Sequence, residues 1–286
     1  MDKTKPGHRC DLFIGTSGYS YSEWLDAGFY PQGTPAKDML PLYARQFRAL
    51  ELNYTWYQMP KAPAMERMCS RVPEGFRFSV KLTRTLTHEV DPGQWQKEAA
   101  AFRQGIAPLV QSGSLLAVLV QLPPFFTRTP EDRNYLAALL DELADLPLAV
   151  EFRHDSWAHD RVLAELERRK VTLAAVDEPS LPNLFPRLAV VTNPDLFYVR
   201  FHGRNAGGWR SGNMQKQFDY NYSRRELEEW LESTIVPMAD KARRGAVFFN
   251  NHVRGQAPGN ARTLMAILAH AGLGDPLSPL VSDPER

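Results

Sequence analysis

Leu115-Leu116-Ala117-Val118-Leu119-Val120-Gln121 is an apolar run without alternation that ends on an amide. Such a run suits a strand covered on both faces, the habit of parallel sheets. Seven other stretches share the character: Leu12 to Thr16, Ala49 to Asn53, Phe76 to Lys81, Leu148 to Phe152, Val171 to Asp177, Phe197 to His202 and Ala246 to Asn250. Between them the apolar period becomes helical. Met65, Met68, Cys69 and Val72 share one face, and Tyr135, Leu136, Leu139, Leu140 and Leu143 form a stripe behind the cap-like Thr129-Pro130-Glu131. Val162, Leu163 and Leu166 repeat the pattern, as do Leu227, Trp230, Leu231 and Met238, then Leu264, Met265 and Leu268. These stripes read as core. The proline-rich stretch from Pro179 to Pro194 spoils any regular helix between the sixth and seventh strands.

Eight strands alternating with helices predict an α/β fold, a single TIM-type (β/α)8 barrel over residues 11–286 behind a polar N-terminal tail, residues 1–10. No linker, composition shift or internal repeat divides the chain. A doubly wound sheet with appended strands is the alternative.

The 286 residues are 43% hydrophobic, with 34 Lys plus Arg against 33 Asp plus Glu and a formal net charge of +1. Ordinary apolar content excludes disorder, and the charge balance leaves no basic footprint for duplex DNA. Cys10 in the tail and Cys69 on a helix imply no disulfide framework and fit a reducing compartment. Met1 to Arg9 lacks the apolar core of a signal peptide, and the longest apolar run is too short to span a bilayer. A cytoplasmic protein with no membrane partner is expected, with nucleic acid disfavoured.

In a (β/α)8 barrel the C-terminal strand ends converge on one mouth, and residues two apart point the same way. Glu51 and Asn53 form such a pair, with Thr55 and Tyr57 following in phase; so do Ser79 and Lys81, Glu151 and Arg153, Arg200 and His202, and Asn250 and His252. Gln121 and Asp177 close their strands singly, so seven of eight strands end in charged or amide residues. Each position has a bland reading: an ion pair for Glu151 with Arg153, backbone satisfaction for Gln121, Asn250 and Asn251, a core histidine for His202, a turn for Asp177. Their convergence on one rim does not, because buried ionisable groups are costly unless paired.

The same residues carry a family resemblance. Gly15-Thr16-Ser17-Gly18-Tyr19-Ser20-Tyr21 with Trp24, Phe29-Tyr30-Pro31, Tyr43 to Phe47, Glu51-Leu52-Asn53-Tyr54-Thr55-Trp56-Tyr57 and Phe78 to Lys81 lie in the first half. Gln121-Leu122-Pro123-Pro124, Glu151 to Trp157, Val199 to Gly203 and Phe249 to His252 follow. From Phe13 to about Leu268 the chain resembles the YecE-like family, domain of unknown function 72. The resemblance implies a TIM barrel, in agreement with the strand count, and no established activity.

The expected rim sets Glu51, Glu151 and Asp177 against Lys81, Arg153 and Arg200. That balance suits a small polar substrate bearing a carboxylate or phosphate better than a divalent cation, and no metal or other cofactor is expected. The loop His202-Gly203-Arg204-Asn205-Ala206-Gly207-Gly208-Trp209-Arg210-Ser211-Gly212-Asn213 offers glycine N–H groups to an anion, with Arg204, Arg210 and Lys216 beside it. Tyr19, Tyr21, Trp24, Tyr57, Trp157, Trp209 and Tyr222 could stack a sugar or base.

The expectation is an enzyme acting on an anionic or sugar-like small molecule. Glu51 or Glu151 serves as general acid or base and His202 moves protons. Lys81, Arg153 and Arg200 hold the anion, with Asn250 and His252 orienting the substrate. Lys81 becomes a candidate nucleophile if burial beside Arg153 or Arg200 lowers its pKa. Substrate contacts are expected from Tyr19, Trp24, Asn53, Tyr57, Gln121, Trp157, Asp177, Arg204, Trp209 and Tyr222. Two alternatives are a metal-dependent phosphoesterase using His154, His202 and His252, and a non-catalytic nucleotide or single-stranded nucleic-acid binder using Arg204, Trp209 and Arg210.

Overall fold

The eight apolar runs become eight strands in the computed structural model, which describes residues 10–271. They are β1 (Asp11–Ser17), β2 (Ala49–Leu52), β3 (Arg77–Lys81), β4 (Leu115–Gln121), β5 (Leu148–Glu151), β6 (Thr172–Asp177), β7 (Phe197–Phe201) and β8 (Arg244–Phe249). All pair in parallel with their sequence neighbours, and β1 pairs with β8, so the barrel closes. The fold is the (β/α)8 barrel. Residues 1–9 of the expected tail, and 272–286 at the end of the expected domain, lie outside the described residues.

Strand period sorts the side chains into two cores. Outward residues such as Leu50, Val80, Val118, Val150 and Val199 pack under the helices, while Phe13, Ala49, Ala117, Leu119, Ala149, Ala174, Tyr198, Ala246 and Phe248 fill the lumen. Alanine supplies half of that lumen layer, which leaves room for large polar side chains one step higher. The next residues in phase are Glu51, Gln121, Glu151, Arg200 and Asn250.

The covering helices are α1 (Glu23–Asp26), α2 (Ala36–Ala44), α3 (Tyr54–Tyr57), α4 (Ala62–Cys69), α5 (Trp95–Gln111), α6 (Pro130–Glu142) and α7 (Asp160–Arg169). After β7 come α8 (Ala206–Arg210), α9 (Met214–Gln217), α10 (Arg224–Trp230), α11 (Val236–Ala239) and α12 (Gln256–His270). Thr129 caps α6 by accepting from Asp132 N–H at 3.1 Å, with Pro130 at the first helical position. No helix forms between β6 and β7, where the prolines forbid it. Among the described residues, no helix is long and apolar enough to cross a membrane.

Gly15 shows how tightly the first two strands meet a helix. The Tyr43 hydroxyl from α2 receives the Thr16 N–H at 2.8 Å and donates to the Ala49 carbonyl at 3.0 Å. A Cβ on Gly15 would lie 2.0 Å from the Ala49 oxygen and 2.8 Å from the Tyr43 hydroxyl. G15A therefore forces β1 from β2 and costs about 1–3 kcal/mol; urea unfolding checks this, and an unchanged midpoint would refute it.

Candidate functional site

The polar layer above the lumen alanines is a connected ion network. Glu51 Oε1 accepts from Ser17 Oγ and Arg200 Nη2, each at 2.6 Å, while Oε2 accepts from the Tyr198 hydroxyl at 2.7 Å and Arg200 Nε at 2.9 Å. Arg200 Nη1 crosses the lumen to Glu151 Oε2 at 2.7 Å. Arg153 Nε holds the other oxygen of Glu151, its Nη1 reaches Glu178 Oε2 at 3.1 Å, and its Nη2 lies 3.0 Å from His202 Nε2. Glu51, Glu151 and His202 are fully buried. Every charged member is paired, which is the condition for tolerating ions in an interior.

Burial pushes the Glu151 carboxyl up, but the Arg153 and Arg200 guanidinium charges hold it well below the usual carboxylate range. Burial and the Arg153 guanidinium bring His202 down to about 3, so its imidazole is neutral. Its Nδ1 accepts from Asn250 Nδ2 at 3.1 Å, since an amide nitrogen only donates, and its Nε2 lies 3.0 Å from Arg153 Nη2 and 3.3 Å from Glu151 Oε1. His202 is thus a spacer between two arginines and an asparagine. Glu51, Glu151 and His202, expected to move substrate protons, are each buried and bonded to partners within this layer.

Above this floor lies a cavity of about 530 Å³. Nine of the sequence-predicted residues line it: Asn53, Tyr57, Lys81, Gln121, Arg153, Arg200, Trp209, Asn250 and His252. Tyr21, Trp56, His88 and Phe218 complete its aromatic wall. Among the described residues no carboxylate appears in that lining, whereas Lys81, Arg153 and Arg200 all do. Of the six-charge rim expected from strand ends, Glu51 and Glu151 lie beneath the three cations and Asp177 lies outside this layer.

Lys81 differs from the two arginines. Its Nζ stands 5.0 Å from the centre of the Trp56 ring, and among the described residues no hydrogen bond or ion pair holds it. Burial and the Arg200 charge lower its pKa to about 7, against the raising influence of Glu151 and Glu51. Thr55 fixes the lysine's backbone by donating to the Lys81 carbonyl at 2.6 Å. That contact, and the helical turn of α3, end the extended phase expected through Tyr57: Asn53 precedes a helix, Thr55 is buried beneath it, and Tyr57 is 59% exposed.

Several expected contacts lie elsewhere. Trp24 is fully buried and donates its indole N–H to the His252 carbonyl at 2.8 Å. Trp157 is stacked between Phe126 and Phe152, with its indole on the Phe126 carbonyl. Tyr222 is buried against Phe201 and accepts from Gly203 N–H at 2.8 Å. Tyr19 belongs to a separate groove with Lys37, Tyr54, Arg67 and Arg71. Packing of large rings beneath loops, which local sequence does not reveal, explains all four.

Asp177 is displaced by one residue of strand phase. It shares the outward phase of Leu173 and Ala175, and accepts both of its contacts from Arg204 Nε at 3.0 Å. Glu178, in phase with the lumen residue Ala174, takes the inward place on Arg153 instead. Counting phase from Ala174 would have selected it. Burial raises the Glu178 carboxyl to about 7 against the lowering influence of Arg153.

The glycine-bearing loop is likewise occupied by its own packing. It folds as α8 and α9; Gly208 N–H is taken by Asn205 Oδ1 at 2.9 Å and Gly203 N–H by Tyr222. Arg204 faces Asp177 and Glu226, not the cavity, although Trp209 does reach it. Two of the glycine N–H groups expected to cradle an anion are thus taken within the loop, which carries Trp209 and Phe218 to the cavity wall. The histidines of the metal alternative are also dispersed: His154 accepts from Ser156 N–H, His202 lies under the arginines and His252 faces Glu23. Among the described residues, no three of His, Cys, Asp and Glu come together to hold a metal ion.

Fold and site together define a (β/α)8 barrel with a cation-lined, aromatic-walled mouth. The chain belongs to the family described as "Protein of unknown function DUF72", whose match covers residues 13–282. It is 27% identical over 271 residues to the UPF0759 protein YunF of Bacillus subtilis (strain 168), spanning 90% of this chain and 94% of that protein. It is also 27% identical over 147 residues to the UPF0759 protein YecE of Escherichia coli (strain K12), about half of each chain. A DUF72 family protein from Thermotoga maritima MSB8 superposes with a TM-score of 0.80 at 32% identity, over 91% of this chain and 99% of that one. SacUVDE matches with a TM-score of 0.53 at 9% identity, over 93% of this chain and 100% of that one, a likeness of fold alone.

Proposed function

We propose that this protein is an enzyme that binds a small anionic substrate in the barrel mouth, with Lys81, Arg153 and Arg200 receiving the anion. The observation that carries the reading is the layering: three cations line the cavity, and among the described residues its lining holds no carboxylate. Arg153 and Arg200 keep fixed positive charge because carboxylates hold them. Each Arg200 nitrogen is bonded within the layer, so Arg200 contributes charge from beneath the cavity, while Arg153 lies higher on the same wall. The rings of Tyr21, Trp56, Tyr57, Trp209 and Phe218 favour a substrate whose anionic group is attached to a flat or sugar-like body. Lys81 supplies the group able to gain or lose a proton near neutrality, the role the sealed carboxylates cannot fill.

Phenyl sulfate is a suitable probe, since its charge is constant across the range in which Lys81 titrates. Protonated Lys81 attracts the anion, and binding raises its pKa in return. Affinity is therefore greatest below the free-state value of about 7 and falls as pH rises through it. Calorimetric or NMR titration of the wild type should show this fall, with proton uptake on binding above about pH 7. Absence of phenyl sulfate, sulfate and dicarboxylate binding at every pH would remove the anion reading.

A further inference from the structure

Two histidines line the mouth cavity, and their surroundings are unlike. His88 Nδ1 accepts the Trp56 indole N–H at 3.2 Å, and burial with the nearby Lys81 charge lowers its pKa to about 4. His252 instead sets Nδ1 3.2 Å from Glu23 Oε1. A carboxylate can only accept, so Nδ1 carries the proton and Nε2 the free lone pair. The ring of His252 lines the cavity, and Glu23 is not among its described lining residues.

The ring is also held in plane. Tyr21 stacks on it with centroids 4.5 Å apart and 1° between planes, and the Tyr21 hydroxyl is anchored on the Ser17 carbonyl at 3.0 Å. The register between Glu23 and His252 is set by the adjacent residue, because Trp24 donates to the His252 carbonyl. Close approach of the two segments needs Gly255, whose φ is +72° and whose Cβ, if present, would lie 2.6 Å from the Ala27 Cβ. Two loops that are 229 residues apart at this contact thus build one small device on the rim.

We propose that Glu23 and His252 form a carboxylate–imidazole pair that acts as the acid/base couple of the mouth cavity. This rests on the reading of the mouth as the substrate site. His252 is the catalytic residue, taking a proton through Nε2 from a substrate hydroxyl or from water as that oxygen bonds to a phosphorus or carbonyl carbon, and returning it to the oxygen whose bond to the same atom breaks. Glu23 is a positioning residue: it fixes the tautomer and balances the imidazolium charge while the proton is held. The anion held by Lys81, Arg153 and Arg200 would bring the reacting group of a phosphate- or carboxylate-bearing hydroxy compound to that nitrogen. The charged and titratable groups facing His252 are Glu23 and the Tyr21 hydroxyl, across from the apolar ring of Phe218.

The test compares wild type and E23Q, with the His252 ring signals assigned by their loss in H252N. Nitrogen-detected NMR should find the Nδ1–H tautomer in the wild type, and a His252 pKa lower by about one unit in E23Q, where the compensating charge is gone. Carbethoxylation of Nε2, mapped by mass spectrometry, should be slowed by saturating phenyl sulfate in the wild type. Thermal unfolding of E23Q should stay close to wild type, since the glutamine keeps an acceptor. An Nε2–H tautomer, a titration unchanged in E23Q, or modification indifferent to bound phenyl sulfate would each overturn the proposal. Failure of phenyl sulfate to bind the wild type at all would overturn the anion reading instead, leaving the pair to be judged by its tautomer and titration.

Discussion

R200M is expected to lower stability by about 3–5 kcal/mol, the largest effect of any single substitution in the mouth. Arg200 is 1% exposed and joins Glu51 on β2 to Glu151 on β5 across the barrel. Methionine fills much of the same volume but leaves two buried carboxylates short of their shared cation. The deficit should depend on pH in a definite sense. Glu151 in the wild type has a depressed pKa, so its contribution is fully present above the ordinary carboxylate value and fades as pH falls through the folded one. In R200M Glu151 keeps only Arg153 and can relieve the strain by taking a proton. The difference between variant and wild type should therefore shrink as pH falls toward about 4. Urea unfolding at several pH values measures both features. R200K should recover little, because an ammonium cannot make the paired contacts to Glu51 while reaching Glu151. A variant with wild-type stability at neutral pH would show that the network contributes nothing to the fold.

K81M is expected to have opposite effects on binding and on stability. Loss of one charge-assisted contact should weaken phenyl sulfate binding roughly ten- to hundredfold below pH 7, and abolish the decline in affinity above it. Stability moves the other way. The folded lysine releases its proton near pH 7, while the unfolded chain keeps it until about pH 10. Between those values the unfolded state binds more protons, so wild-type stability rises with pH through this window relative to K81M. Near neutrality the variant, free of a desolvated ammonium, should unfold at equal or higher denaturant concentration than the wild type. Paired titrations and unfolding curves decide this; a K81M protein that keeps the same pH-dependent affinity would transfer the titration to another group, with Glu178 the first to test.

Strand and helix placement were legible because the relevant physics is local. A run such as Leu115 to Val120 is apolar on both faces wherever it is buried, and the change from that pattern to helical period marks each crossover. Eight such units leave few ways to satisfy every strand edge, and closure is one of them. The lumen phase was equally legible within strands, which is why Lys81, Gln121, Arg153, Arg200 and Asn250 meet at one mouth. Legibility failed where a strand ended sooner than expected. Asn53 starts a helix, so phase could not be carried to Thr55 and Tyr57, and at β6 one residue of phase exchanged Glu178 for Asp177.

The amino-acid sequence by itself thus determined the barrel, and the set of polar side chains collected near its C-terminal strand ends. Period and hydrophobicity act over a few residues and need no knowledge of partners. Only the tertiary structure decided which of those side chains face a substrate and which lie beneath them. Glu51 and Glu151 became the support of Arg153 and Arg200, and among the described residues Lys81 was left with the Trp56 ring and no hydrogen bond or ion pair. It also brought Glu23 to His252, across 229 residues of chain. The role of an ionisable group depends on its neighbours in space through Coulomb interactions and desolvation, and those neighbours come from strands and loops that no local pattern connects.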